Sequence, residues 1–307
     1  MRTASNPLAP AVALARARAS NPALCPADPY ADLLIKAANC EQADGEHPPS
    51  ASSSSSPTPT SAALDAAATA WIDTHALRAV DLVNLDVRAE GAEYRQVVLV
   101  SPGLDTRPFR LPWPAGGALQ FFEVAPADCL AVSAAALKGA GVAVPRGCLL
   151  HRVLGDVGAG DVAWSEGLEA AGLRGDRLSV ICLQAGTPGW TGLDRAALRA
   201  ALAGAARVSA RGSFVFGDLP AWVATRAEAA DLLAEAGLLA GALDRPGASA
   251  EGGAGGWAAA GWGVSDAAAP DNRWFFAAQQ QGRSDAEIDI LDRAEWAVDE
   301  DFDGHFS

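Results

Sequence analysis

Short apolar runs alternate with longer segments of helical periodicity along most of the chain. The apolar runs are rich in β-branched and aromatic residues, as in strands that a sheet buries on both faces. Six segments fit this description: RQVVLV, ALQFFEV, CLLHRVLGDV, RLSVICLQ, GSFVFGDL and RWFFAAQQ. Strands separated by helices predict a parallel sheet that is covered by helices on both faces. We therefore expect a doubly wound, mostly parallel, Rossmann-like α/β fold.

The helical segments between these runs carry their own start and stop signals. ADCLAVSAAALKGAG and LDRAALRAALAGAARV follow predicted strands, and the first stops at glycine. ATRAEAADLLAEAGL has a core face that we predict to include Leu232, Leu233 and Leu238, with Gly237 near its end. The alternation of the two patterns excludes an all-β fold, and the β-rich runs exclude a helical bundle.

Composition changes along the chain predict one domain with three less ordered segments. Residues 1–20 are rich in alanine and arginine, and we interpret them as a disordered or transit-like tail. Residues 43–63 are a Ser/Pro low-complexity stretch, which predicts a disordered insertion. Residues 283–307 form an acidic C-terminal tail. The single domain is expected to span residues 21–282.

The net charge, the lengths of the apolar runs and the spacing of cysteines and histidines indicate which kinds of partner the protein does not bind. The formal net charge is −14, which argues against nucleic acid as a partner because phosphate neutralisation requires a basic face. The sequence contains no apolar run of the ~20 residues that span a bilayer, so we expect no membrane segment. Neither the five cysteines nor the four histidines show metal-ligand spacing. We expect a cytoplasmic protein, with a plastid or mitochondrion as the alternative suggested by the first 20 residues.

Polar residues follow four of the predicted strands, at the edge where doubly wound sheets bind ligands. Ser101, Gly103 and Asp105 lie in the turn after the first strand, and Glu123 lies about 20 residues beyond Gly103. Asp156 and Gln184 end the third and fourth strands. A small turn followed by two acids predicts a nucleoside pocket, in which carboxylates accept from ribose hydroxyls and an adenine amino group. Structural roles remain open, because Gly103 also suits a turn with positive φ and Asp156 a helix cap.

Several of these motifs together resemble one enzyme family. QVVLVSPGLDTRPFRLPWP resembles the first motif of the leucine carboxyl methyltransferase-like S-adenosylmethionine-dependent O-methyltransferases, with a match at the Asp-Thr-Arg turn. FFEV and LGDV resemble the next two motifs, and NPALCPADPYADLL the Asp-Pro-Tyr-Ala helix near the domain start. ALRAVDLVNLDV resembles the helix before strand one, and RWFFAAQQ the closing strand. The resemblance covers about residues 21–280.

The resemblance implies a class I methyltransferase sheet with an antiparallel closing strand, and S-adenosyl-L-methionine as cofactor. Gly103, Glu123 and Asp156 would frame the cofactor, together with Ser101 and Asp105 of the turn. The family's helical arginine holds the methionine carboxylate, and Arg78 is the candidate here. Gln184 would lie beside the sulfonium.

The sequence also departs from the family pattern. Ser101 and Pro102 replace the first turn glycine and the residue after it, and Ala125 stands where a second acid is usual. Gln184 and Ala185 replace a Glu-Gly pair. Each lost charged hydrogen bond costs ~1.5–3 kcal/mol unless it is replaced. A catalytically silent relative that acts as a binding or scaffold module therefore stays open as the alternative.

The expected reaction is methyl transfer to a carboxylate or hydroxyl group of an unidentified small-molecule or protein acceptor. A carboxylate acceptor is ionised at neutral pH and needs no general base, whereas a hydroxyl acceptor needs one. The sequence identifies no catalytic residue. An α/β hydrolase is excluded because the chain contains no G-x-S-x-G elbow. Asp105 and Arg107 are predicted to pair and to hold the turn.

Overall fold

The computed structural model describes residues 8–20, 28–44, 59–82, 95–114, 119–157, 163–184, 193–245, 273–291 and 293. Eight helices of the domain, a further helical segment over residues 285–291 and seven strands lie in these ranges. The helices are α1 (Leu8–Ser20), α2 (Ala31–Asp44), α3 (Pro59–Leu82), α4 (Arg107–Arg110), α5 (Ala127–Gly139), α6 (Trp164–Ala170), α7 (Arg195–Arg207) and α8 (Arg226–Glu235). The strands are β1 (Gln96–Val100), β2 (Gln120–Ala125), β3 (Leu149–Leu154), β4 (Ser179–Gln184), β5 (Phe214–Leu219), β6 (Leu238–Asp244) and β7 (Trp274–Gln280).

The seven strands form one sheet in the order β3-β2-β1-β4-β5-β7-β6. β1 to β5 run parallel, and β7 is antiparallel to both β5 and β6. Every residue of β1 and of β4 is buried, which explains why these segments are continuously apolar rather than alternating. The predicted doubly wound, mostly parallel sheet with an antiparallel closing strand is confirmed. The strand order reverses between β1 and β4, so a crevice is expected beyond their carboxyl ends.

Helices cover both faces of the sheet. Phe122 and Val124 of β2 belong to a buried cluster that includes side chains of α6, α7 and α8. Phe121, whose side chain points the other way, belongs to a second cluster built largely on α3. The alternation along β2 therefore places one core on each side of the sheet. The helix α7, on the side of Phe122, begins at a cap in which the Asp194 carboxylate accepts a 2.8 Å hydrogen bond from the Ala197 N–H.

The N-terminal helices pack at the carboxyl edge of the sheet. Leu8, Ala11 and Val12 of α1 share a buried cluster with side chains of α2, α5 and the turn after β1. The prediction of disorder over residues 1–20 is therefore wrong for residues 8–20, whereas the transit-like alternative stays a prediction. Ala11, Ala15 and Ala17 of α1 are buried, and the charged Arg18 is buried with them, so the usual sequence signal of a packed amphipathic helix is missing.

One predicted helix is shorter than the sequence pattern indicates. Helix α8 ends at Glu235, and Leu238 begins strand β6, which the sequence pattern did not predict. Gly237 has φ +78 and makes the turn between the two elements.

The Ser/Pro insertion lies mostly outside the described residues, although α2 continues to Asp44 and α3 begins at Pro59. Within the described ranges, none of the helices is both long enough and apolar enough to cross a bilayer.

Candidate functional site

The turn after β1 has a backbone that only a few residue types adopt easily. Gly103 has φ +114 and Leu104 has φ +54. The Gly103 N–H donates to the Ser101 hydroxyl oxygen at 3.3 Å, so serine closes the turn with its side chain. A Cβ atom on Gly103 would lie 2.4 Å from the Cβ of Cys129 on α5. Glycine is therefore required here by the φ angle and by the close approach of α5.

Arg107 is the centre of the polar contacts beside this turn. Its Nη1 lies 2.6 Å from an oxygen of Asp105, and its Nε lies 2.6 Å from an oxygen of Asp73 on α3. The third nitrogen, Nη2, donates to the Gln184 side-chain oxygen at 2.9 Å. Burial opposes the charge of Arg107, but Asp105 and Asp73 outweigh it and raise the pKa of the guanidinium. The predicted pairing of Asp105 with Arg107 is confirmed.

Further ion pairs extend these contacts into what we call the buried charge cluster, made of three arginines and three aspartates. Arg110 Nη2 lies 2.5 Å from Asp73, and Arg18 Nε lies 2.9 Å from Asp28. Every one of the paired side chains is at most 4% exposed. The members are Arg18, Asp28, Asp73, Asp105, Arg107 and Arg110. Because three positive charges face three negative charges, the cluster compensates its own buried charge.

Gln184 is held by protein groups at both ends of its amide. Its oxygen accepts from Arg107, and its Nε2 donates to the hydroxyl oxygen of Thr69 on α3 at 2.8 Å. The residue is fully buried at the end of β4. Gln184 therefore links β4, α3 and the turn after β1, and its role beside a sulfonium stays a prediction.

The sequence analysis did not single out the polar residues of α3 that reach the sheet edge. Asp65, Thr69 and Asp73 are spaced by four residues, so they share one side of the helix. Asp65 pairs with Arg273 at 2.6 Å, while Thr69 and Asp73 contact Gln184 and Arg107. Polar residues four apart in an Ala-rich helix were the available signal.

Arg78 is not placed with these residues. It is exposed on α3, five residues after Asp73, and five residues of helix turn the side chain by about 140° away from the Asp73 direction. The structure therefore does not bring Arg78 into the buried charge cluster, and its contact with a methionine carboxylate stays a prediction.

Glu123 differs from the buried charge cluster because one of its carboxylate oxygens is buried without a hydrogen-bond partner among the described residues. Its Oε2 lies 3.5 Å from the Nε of Arg152 on β3, and both Arg152 and the backbone N–H of Asp105 act to lower the pKa of the carboxyl group. Oε1 is buried and finds no hydrogen-bond partner among the described residues. Burial raises the pKa of Glu123 to about 7, and the neighbouring Asp105 charge acts in the same direction. Such an oxygen at the end of β2 is an acceptor that a bound ligand can satisfy.

Asp156 lies on the same edge as Glu123. It is half-buried and follows β3, whose strand pairs with β2. The intervening Gly155 donates its N–H to the Ala125 carbonyl oxygen at 3.2 Å, which ties this segment to the end of β2. Ser101, Gly103, Asp105, Glu123 and Asp156 are thus gathered at the ends of three adjacent strands. Groups of three or more metal-ligating side chains are absent from the described part of the chain.

The chain is similar to a known family, to named relatives and to solved structures. The family model described as leucine carboxyl methyltransferase matches residues 9–188, which is more than half of the chain. A Parafrankia protein named "Putative S-adenosyl-L-methionine-dependent methyltransferase" is 45% identical over 86 residues, or 28% of this chain and 26% of that protein. The rice protein "O-methyltransferase 1, chloroplastic" is 30% identical over 128 residues, or 42% of this chain and 33% of that protein.

A solved structure extends the comparison over most of the fold. The crystal structure of a DUF574 family protein from Streptomyces avermitilis superposes with a TM-score of 0.50 at 13% identity, covering 86% of this chain and 97% of that one. At 13% identity this similarity shows the fold alone. The chain spans about a third or less of the length of the two relatives described above. The family match, however, covers every element from α1 to β4, and the chain belongs to the leucine carboxyl methyltransferase family.

Proposed function

We propose that this protein is an S-adenosyl-L-methionine-dependent methyltransferase that transfers a methyl group to a carboxylate or hydroxyl oxygen. Family membership supports the cofactor, and the rice relative named as an O-methyltransferase supports oxygen as the acceptor atom. One structural observation carries the proposal. It is the Oε1 of Glu123, which is buried near the carboxyl end of β2 and has no hydrogen-bond partner among the described residues.

The residues at this edge fit the nucleoside half of such a cofactor. Ribose hydroxyls are donors, and Glu123 Oε1 is an acceptor for which the described residues provide no donor. Asp156 supplies a second carboxylate after β3 on the same edge of the sheet, and the turn of Ser101 and Gly103 follows the neighbouring strand β1. Pro102 removes one backbone N–H from that turn. Carboxylates and a tight turn are the groups that such sheets use for nucleosides.

The cofactor would supply a methyl group activated on a sulfonium. Methyl transfer is then governed by alignment of the acceptor and exclusion of water, so the protein need not contribute a nucleophile. A carboxylate acceptor arrives ionised and needs no base. The proposal leaves the acceptor as a small-molecule or protein carboxylate or hydroxyl.

The first experiment is titration calorimetry with S-adenosylmethionine and S-adenosylhomocysteine. The wild-type protein is expected to bind in the micromolar range. Glu123→Ala and Asp156→Ala are each expected to weaken binding about tenfold or more, because each removes a hydrogen-bond acceptor for the ligand. Glu235→Ala is the control, since Glu235 pairs with Arg199 at the surface of α8.

A second assay identifies the acceptor atom. Methyl-labelled cofactor is incubated with carboxylate and hydroxyl compounds, and the product is treated with mild base. A methyl ester releases the label as methanol, whereas a methyl ether retains it. Label on nitrogen, carbon or sulfur instead would contradict oxygen as the acceptor.

One observation favours the alternative of a silent binding or scaffold module. Gln184 has both ends of its amide bonded within the protein, beside a charge cluster that compensates itself. If neither ligand gives heat or a thermal shift at millimolar concentration, this alternative replaces the enzyme proposal.

A further inference from the structure

The buried side chain of Arg18 connects helix α1 to the backbone of the turn after β1. Arg18 is 3% exposed, and its Nη2 donates to the carbonyl oxygen of Leu104 at 2.8 Å. Its Nε donates to Asp28 at 2.9 Å. Asp28 in turn accepts from the Thr106 hydroxyl at 2.6 Å. The two residues that flank Asp105 are therefore both held by the N-terminal segment.

Leu104 has a backbone conformation that needs such support. Among the residues that the structure describes, Leu104 alone combines a side chain with positive φ, at +54. The left-handed region disfavours residues with a Cβ atom, so the surrounding contacts must hold the conformation. The Leu104 side chain is buried against α1, α2 and α5, while its carbonyl oxygen is fixed by Arg18.

The peptide group that Arg18 holds is also the one that contacts Glu123. The carbonyl of Leu104 and the N–H of Asp105 belong to one planar peptide unit, so fixing one end fixes the direction of the other. The carbonyl accepts from Arg18 at 2.8 Å, and the N–H is directed toward the Glu123 carboxylate, whose pKa it lowers against the effect of burial. A rotation of this peptide would break the Arg18 hydrogen bond and turn the N–H away from Glu123.

We propose that Arg18 is a positioning residue for the cofactor site, acting through the Leu104–Asp105 peptide to hold the turn and Glu123 in place. Helix α1 is then part of the site, although Arg18 lies 86 residues before Leu104 in the sequence. The effect on cofactor affinity rests on the proposed function, whereas the effect on the turn does not.

Amide hydrogen exchange tests the turn without any ligand. In Arg18→Met, the Asp105 amide is expected to exchange about tenfold faster or more, because a charged hydrogen bond that holds its peptide is lost. Amides of β4 report global opening and serve as the internal reference. An increase at Asp105 that merely equals the increase in β4, or no increase, would overturn the proposal.

Arg16→Met is the matched control. Arg16 lies two residues before Arg18 on the same helix and is exposed. Its replacement is expected to leave the Asp105 exchange rate unchanged. Faster exchange at Asp105 in both variants would assign the effect to α1 as a whole and contradict the role of the Arg18 guanidinium.

Two more variants keep the test valid if Arg18→Met is poorly folded. Arg18→Lys retains the charge but not the forked geometry that reaches both Leu104 and Asp28. The Asp105 exchange rate in this variant should therefore lie between the rates in wild type and in Arg18→Met. Arg18→Met combined with Asp28→Asn leaves no unpaired charge at this pair, so stability should recover while Asp105 exchange stays fast. Recovery of slow exchange in the double variant would overturn the proposal.

Cofactor binding is measured on the same set with S-adenosylhomocysteine as the probe. Arg18→Met is expected to weaken binding about tenfold or more, with Arg16→Met within twofold of wild type. If wild type binds no ligand, the proposed function fails while the exchange data still decide the role of Arg18 in the turn. If wild type and Arg18→Met bind equally, the cofactor part of this proposal is wrong although the proposed function stands.

Discussion

Arg107 and Gln184 are joined by a 2.9 Å hydrogen bond between Nη2 and Oε1, across 77 residues of sequence. The bond connects the start of α4 to the end of β4, at the point where the strand order reverses. The same guanidinium also binds Asp73 and Asp105. One side chain thus ties together α3, the turn after β1 and the central strand β4.

Arg107→Met should therefore be strongly destabilising. Removing the guanidinium leaves two aspartates buried with a missing partner, which costs about 3–5 kcal/mol of unfolding free energy. Arg107→Lys should fall between this variant and wild type, because one ammonium group cannot reach three partners in the same geometry. Urea denaturation measures the change.

The control for Arg107 is Arg199→Met. Arg199 pairs with Glu235 at the surface, where both side chains are 48% exposed. Loss of such a pair should change stability by less than about 1 kcal/mol. Equal effects of Arg107→Met and Arg199→Met would show that the buried charge cluster does not stabilise the fold.

Gly103→Ala separates a strained φ angle from a steric clash. The new Cβ would meet Cys129 at 2.4 Å in addition to adopting φ +114, so we expect a loss of about 2–4 kcal/mol. Gly147→Ala is the matched variant, because Gly147 has φ +88 with open space around it. It should lose only about 1–2 kcal/mol. Thermal unfolding of both proteins measures the difference, and similar losses would rule out a tight contact with α5.

Glu123→Gln should change how stability depends on pH. Burial raises the pKa of Glu123 to about 7 from an ordinary value of 4.5, so the folded state favours the protonated acid. The stabilisation from this group is complete below pH 4.5 and is lost as the pH rises through 7. Glutamine carries no charge at any pH. The variant should therefore be more stable than wild type by about 2–3 kcal/mol at pH 8, and about equal to it near pH 4.

Urea titrations at both pH values test this expectation, with Glu235→Gln as the exposed counterpart on α8. Subtracting the wild-type curve removes the contribution of groups that titrate in both proteins. A stability difference between Glu123→Gln and wild type that does not vary with pH would contradict a raised pKa.

Leu14→Ala tests whether α1 belongs to the core. Leu14 is 1% exposed within α1, and its truncation should cost about 2–4 kcal/mol. Arg16→Ala on the same helix is exposed and should stay within about 0.5 kcal/mol of wild type. Chemical denaturation distinguishes the two, and a neutral Leu14→Ala would mean that α1 does not contribute to the stability of the domain.

The sequence by itself determined the fold class and the edge of the sheet where the site lies. The apolar runs of β1 and β4 are continuous because both faces of these strands are buried, and this pattern is local. Gly103 and the Asp105–Arg107 pair were also predictable, because the turn and the ion pair involve residues close together in sequence.

The tertiary structure alone decided which polar groups meet. Arg18 contacts Leu104 across 86 residues, and Gln184 contacts Thr69 across 115 residues, so no local pattern encodes either contact. Residues 1–20 were interpreted as a tail because they are rich in alanine and arginine, and only packing from several sides shows that α1 belongs to the core. The local pattern of apolar and polar residues determines the helices and strands of this protein. The environment of Glu123 instead depends on side chains that burial brings together from distant parts of the chain.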